Sequence, residues 1–201
     1  MAEEVVFYHN PRSRAQMVHL MLEEVGAPYR IVPIDFEKGE NRTPSFLALN
    51  PMGKLPTIEH RGVVVTETAA IIAYLADTFP SAGLAPPPGD ALRGTYYRWL
   101  FFGAGCMEPA LTDKMMQRPA VERKSSVGWG SYEDVVATLA KALARGPYLL
   151  GEMFSAADVY LGSQIRWAMM FGAPGFKGEK VFDQYVARLS ARPSAQRIAA
   201  A

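Results

Sequence analysis

The stretch FYHNPRSRA, from Phe7 to Ala15, gathers a phenol (Tyr8), an imidazole (His9), an amide (Asn10), a hydroxyl (Ser13) and two guanidinia (Arg12, Arg14). These groups donate hydrogen bonds or carry positive charge, so together they can stabilise an anion. The same stretch reads as a helix start. Asn10 is a favoured N-cap and Pro11 a favoured first helical residue. A helix N-terminus itself favours negative charge, so the two readings are compatible.

Other chemistries find no support. There is no G-x-G-x-x-G and no G-x-x-x-x-G-K-[ST], which argues against a nucleotide-phosphate loop. His9, His19 and His60 lack ligand spacing and Cys106 is the only cysteine, so no metal centre is expected. No G-x-S-x-G elbow and no C-x-x-C occurs. The lone cysteine excludes an internal disulfide, which fits a reducing cytoplasm. A net charge of +1 without runs of like charge argues against nucleic acid or a membrane surface as partner. The opening MAEEVVF is acidic where a secretory leader would be basic. The apolar stretches WLFFGAGCM and WAMMFGAPGF are too short to span a bilayer.

The elements that must position these groups follow from periodicity. Val5–Tyr8 reads as a short buried strand. The helix after it, to about Val25, puts Val18, Met21, Leu22 and Val25 on one face, and Gly26 closes it. Tyr29–Ile34 reads as a second strand, at a sheet edge because Pro33 lacks a ladder donor. Thr43 caps a short helix with Pro44 at its first position. Two strands flank His60-Arg61-Gly62 as a hairpin, and a helix runs from about Glu67 to Thr78. The order is βαβαββα with a mixed four-stranded sheet, over residues 1–80. Phe79–Asp90 is rich in proline and glycine and reads as a linker, with its centre at 81–90. Residues 91–201 carry only helical patterns: about 90–116, 131–144, 156–171, 179–191 and 194–200. Ser155 and Asp158 form a capping-box variant opening the third of these, worth about 1 kcal/mol and structural in role.

Three motifs in this order resemble the cytosolic glutathione transferase family. N-P-x-G-x-[VIL]-P is matched by Asn50, Pro51, Gly53, Leu55 and Pro56. E-[ST]-x-A-I-x-x-Y-L is matched by Glu67, Thr68, Ala70, Ile71, Tyr74 and Leu75. FSAADVYLG, Phe154–Gly162, is similar to the family's helix-capping motif. The resemblance implies a thioredoxin-like α/β N-terminal domain followed by an all-α C-terminal domain. It also implies a glutathione transferase that conjugates the glutathione thiolate to hydrophobic electrophiles, as a homodimer.

The implied binding residues suit the ligand. Leu55, before a cis Pro56, would offer its backbone to the cysteinyl unit as in strand addition. Glu67 would pair with the γ-glutamyl ammonium. Thr68 and the helix-start N–H groups would hold its carboxylate. Lys54 and Arg14 would add positive charge. For the thiol, the family places a tyrosine, serine or cysteine donor at the end of the first strand or the start of the next helix. No cysteine occurs there; Tyr8, Asn10 and Ser13 are the candidates, with Tyr8 open to pointing into the core on strand parity. The hydrophobic pocket is expected between the domains, with Phe102, Cys106, Met107 and Met115 as candidate walls. Competing readings are another glutathione-dependent enzyme (isomerase, dehalogenase, or peroxide or disulfide reductase) and a non-catalytic binding protein on the same fold.

Overall fold

Val5 and Phe7 alternate with Val6 and Tyr8, so one strand face is wholly apolar. A computed structural model describes residues 4–200 of the chain. The N-terminal unit ends at Leu84. It runs β1 (Val5–His9), α1 (Ala15–Val25), β2 (Tyr29–Pro33), α2 (Pro44–Leu49), β3 (Thr57–His60), β4 (Val63–Thr66) and α3 (Thr68–Thr78). The sheet order is β2-β1-β3-β4, with β2 parallel to β1 and the other pairs antiparallel. β2 is an edge, where the missing donor of Pro33 is tolerated. Arg61 and Gly62 have φ of 54° and 72°, as a two-residue hairpin turn requires. Val5, Phe7 and Ile58 of the sheet are fully buried with Met21 and Leu22 of α1 and Ile71, Ile72 and Leu75 of α3.

The sheet also carries a half-buried imidazole. His9 shares the Phe7 face of β1; its ring lies 5.1 Å from Phe7 and 5.5 Å from His19. The His9 Nε2 is buried without a hydrogen bond. Tyr29 donates to Glu23 at 2.7 Å, so the 2.9 Å contact between His19 Nε2 and the Tyr29 oxygen has His19 as donor. Burial, then the neighbouring His19, lowers the His9 pKa from 6.5 to about 4. The unfolded chain therefore binds a proton that the folded chain refuses in this window. Stability is present above pH 6.5 and falls as pH drops towards 4. Urea unfolding at neutral pH and near pH 4.5 should reveal the loss, and His9→Phe should remove most of it. An unchanged slope in that variant would exclude His9 as the source.

The second unit begins at Ala85 and is helical. It comprises α4 (Leu92–Phe102), α5 (Glu108–Met115), α6 (Tyr132–Leu143), α7 (Ala156–Met170), α8 (Lys180–Ser190) and α9 (Pro193–Ala200). The single helix expected over 90–116 is instead α4 and α5 joined by a π-helical segment, Gly103–Met107. Pro109 supplies the reason. It has no N–H to give Gly105, and its ring crowds that carbonyl, so the ladder slips by one residue. Glu108 N–H then bonds the Gly103 carbonyl, which also accepts from Gln164 Nε2 at 3.2 Å. A Cβ at Gly103 would sit 2.6 Å from the Tyr160 ring, so glycine lets α7 approach here. No helix among the described residues is long and apolar enough to cross a membrane.

Candidate functional site

The loop between α2 and β3 is braced by its own polar groups. Asn50, 3% exposed, donates from Nδ2 to the Lys54 carbonyl at 2.9 Å and to Thr57 Oγ1 at 3.2 Å. Its Oδ1 accepts from Met52 N–H, and its carbonyl from Gly53 N–H. Asn41 Nδ2 holds the Gly53 carbonyl at 2.9 Å. Gly53 has φ of 61°, and a Cβ there would lie 2.8 Å from the Asn41 carbonyl oxygen. Residue 53 is thus glycine for two independent reasons. The Leu55–Pro56 bond is cis. Among the described residues, the Leu55 N–H and carbonyl have no hydrogen-bond partner. Unpaired backbone beside a strand is what an extended ligand can complete.

The register places this loop beside the other candidates. Tyr8 pairs with Thr57, and Thr57 pairs with Thr66. Leu55, Tyr8 and the Glu67–Thr68 step therefore share one end of the sheet. Glu67 precedes α3 with φ of 65° and ψ of 119°. This conformation costs a non-glycine residue on the order of 1–3 kcal/mol and is kept where surrounding structure imposes it. The exposed Glu67 carboxylate has no ion-pair or capping partner among the described residues, nor has the Thr68 hydroxyl a hydrogen bond. The first α3 bond runs from Ile71 N–H to Glu67, so the Thr68, Ala69 and Ala70 N–H groups are the helix's open donors.

The β1–α1 loop corrects one expectation. Asn10 and Pro11 do not open the helix; α1 starts at Ala15 after a cap position at Arg14. Asn10 instead ties the loop, accepting from Arg12 N–H and donating to the Ile34 carbonyl, both at 2.8 Å. Ser13, 8% exposed, closes the turn that leads into the helix. Its Oγ donates to the Asn10 carbonyl at 2.7 Å and accepts from Ala15 N–H at 3.1 Å. Arg12 pairs with Glu37 on the surface, which contributes little. Tyr8 lies on the face opposite Phe7, with its ring edge-on to Phe46 at 5.8 Å. Its hydroxyl has no partner among the described residues. Burial, then the Glu59 carboxylate, raises its pKa, so it keeps its proton at neutral pH.

Known proteins share both domains of this chain. Residues 3–77 match the glutathione S-transferase N-terminal domain, and residues 107–195 match a glutathione S-transferase C-terminal domain. Glutathione S-transferase 3 of Zea mays is 32% identical over 152 residues, covering 70% of this chain and 67% of that protein. The chain belongs to the glutathione S-transferase family. The family member GstA of Escherichia coli O157:H7 is 26% identical over 191 residues, covering 94% of each chain. A glutathione transferase homolog from Sulfitobacter, solved with bound glutathione, superimposes with a TM-score of 0.77 at 28% identity, covering 98% of this chain and 97% of that one.

The residues expected to wall a hydrophobic pocket in a glutathione S-transferase lie in the helical unit. The four wall candidates there occupy different environments. Met107 is 1% exposed, whereas Met115 is 40% exposed. Phe102 packs edge-on against Trp99 at 5.4 Å. Cys106 donates from Sγ to the Gly128 carbonyl at 3.6 Å, and burial raises its pKa. It is held as a thiol and is not primed as a nucleophile. The motif pattern captured Asn50 and Gly53 without their roles. Asn41 carried no local signal, because its partner lies twelve residues on.

Proposed function

We propose that this family member is a glutathione transferase that directs the glutathione thiolate at hydrophobic electrophiles. The observation that carries the reading is the open Leu55 N–H and carbonyl at the same sheet end as the unpaired Glu67 carboxylate. The cysteinyl backbone would pair with Leu55, and Lys54 would add positive charge. The γ-glutamyl ammonium would meet Glu67, and its carboxylate the Thr68 hydroxyl and the α3 N–H donors. This sends the thiol towards the β1–α1 loop.

A thiol of pKa about 8.5 is only about 3% ionised at pH 7. Lowering it by about two units needs roughly 2.7 kcal/mol, within reach of one charge-assisted hydrogen bond of about 1.5–3 kcal/mol. Tyr8 is the donor that needs no rearrangement. Ser13 becomes one by turning its hydroxyl from the Asn10 carbonyl, and Asn10 has one amide hydrogen left to give. The thiolate then forms the carbon–sulfur bond as the leaving group departs with its electron pair. The protein's share of the rate comes from thiol ionisation and positioning. The expected assembly is a homodimer and the expected location the cytoplasm.

Retention on immobilised glutathione combined with turnover of an activated aryl halide tests the proposal. Both are expected. Retention without turnover would favour a binding protein, and no retention would end every glutathione reading. Tyr8→Phe, Ser13→Ala and Asn10→Ala, read by the pKa of the bound thiol, identify the donor.

A further inference from the structure

We propose that two clefts meeting at Arg145 in the helical unit form a binding site for a compact multivalent oxyanion of the polyphosphate class. One cleft, of about 550 Å³, is lined by Arg145, Lys180 and Arg188. The other, of about 630 Å³, is lined by Arg98, Lys141 and Arg145. No aspartate or glutamate lines either cleft. None of these five cations has a carboxylate partner among the described residues. Cations without a carboxylate partner occur elsewhere among the described residues, such as Lys54 and Lys177; these five are set apart by sharing clefts that no carboxylate lines.

Helix electrostatics explain only part of this set. Lys141 and Arg188 lie in the last turns of α6 and α8, and Arg145 lies just beyond α6, where a helix dipole favours cations. Lys180 is the first residue of α8, where the same dipole disfavours it. Gathering five cations in concave walls without a counter-charge raises their mutual repulsion and focuses positive potential into the clefts. A bound anion reverses the sign of that contribution.

Two of the guanidinia are already held. Arg188 donates to the Pro147 carbonyl at 2.9 Å and lies 6.0 Å from the Tyr148 ring centre. Arg98 stacks 4.2 Å over Trp99. Such arginines lose little freedom when they bind an oxyanion by paired N–H donors. A multivalent oxyanion suits the clefts because the cations on their walls are exposed and can converge on one densely charged group. Trp99, 2% exposed and stacked by Arg98, offers no open face to a nucleobase.

Isothermal titration of the full chain with inorganic tripolyphosphate provides the test. Saturable binding that weakens with added salt is expected. Arg145→Gln should weaken it by about tenfold or more, because one side chain serves both clefts. Lys177→Gln, a cation outside both clefts, should leave it unchanged. Circular dichroism and retention on glutathione resin confirm that each variant is folded. Absence of saturable binding overturns the proposal, as does equal loss in Lys177→Gln or no loss in folded Arg145→Gln. Tighter binding of a single-stranded oligonucleotide than of tripolyphosphate would assign the clefts to nucleic acid and overturn it too.

Discussion

Glu67→Ala is expected to weaken glutathione binding by about 10–100-fold with little change in thermal stability. The carboxylate makes no ion pair or cap bond within the described chain, so its removal breaks nothing in the free protein. It does remove the partner assigned to the ligand ammonium, a charge-assisted contact worth about 1.5–3 kcal/mol. Backbone conformation sharpens the test. At φ of 65°, Glu67→Gly relieves a conformation that disfavours any side chain. That variant should unfold at higher temperature yet bind glutathione as weakly as Glu67→Ala. Calorimetric titration and thermal unfolding of both variants separate the effects. Native affinity in Glu67→Ala would reduce this residue to a helix-start carboxylate that complements the α3 dipole.

Elements were legible where their cause is local. Pro33 announced an edge strand, Arg61-Gly62 a hairpin, and Thr43-Pro44 a helix start, because each rests on the φ or donor count of one or two residues. The β1–α1 loop was misread for the same reason. Asn10-Pro11 has the local chemistry of a cap, but the Ile34 carbonyl from beyond β2 claims the Asn10 amide and delays the helix to Ala15. The break between α4 and α5 was legible in principle from Pro109, since proline cannot sit quietly inside a long helix. The shared sheet end of Leu55, Tyr8 and Glu67 needed the strand register, which no single stretch contains.

Asp158 illustrates the gap between local and long-range reading in energy. As a capping-box partner of Ser155, its loss would cost about 1 kcal/mol. In the folded chain it is fully buried and takes four donors. Ser155 N–H and Oγ reach Oδ2 at 2.9 and 3.0 Å; Leu149 N–H and the Tyr185 hydroxyl reach Oδ1 at 2.8 and 2.9 Å. Burial pushes the carboxyl above its usual pKa, and the four donors pull it back. Asp158→Ala leaves the two backbone N–H groups and the Ser155 and Tyr185 hydroxyls buried without this acceptor. Each such orphan costs about 1–3 kcal/mol, so a total loss of at least about 3 kcal/mol is expected. Ser155→Ala, which removes only one of the four donors, should lose about 1 kcal/mol. Tyr185→Phe removes a donor and leaves no orphan, so it too should lose only about 1 kcal/mol. Denaturant unfolding of the three variants gives the ranking, and the two milder ones keep it measurable if Asp158→Ala does not fold. An Asp158→Ala protein as stable as Ser155→Ala would mean that water or relaxation reaches these donors, and that the residue is the local cap its sequence context describes.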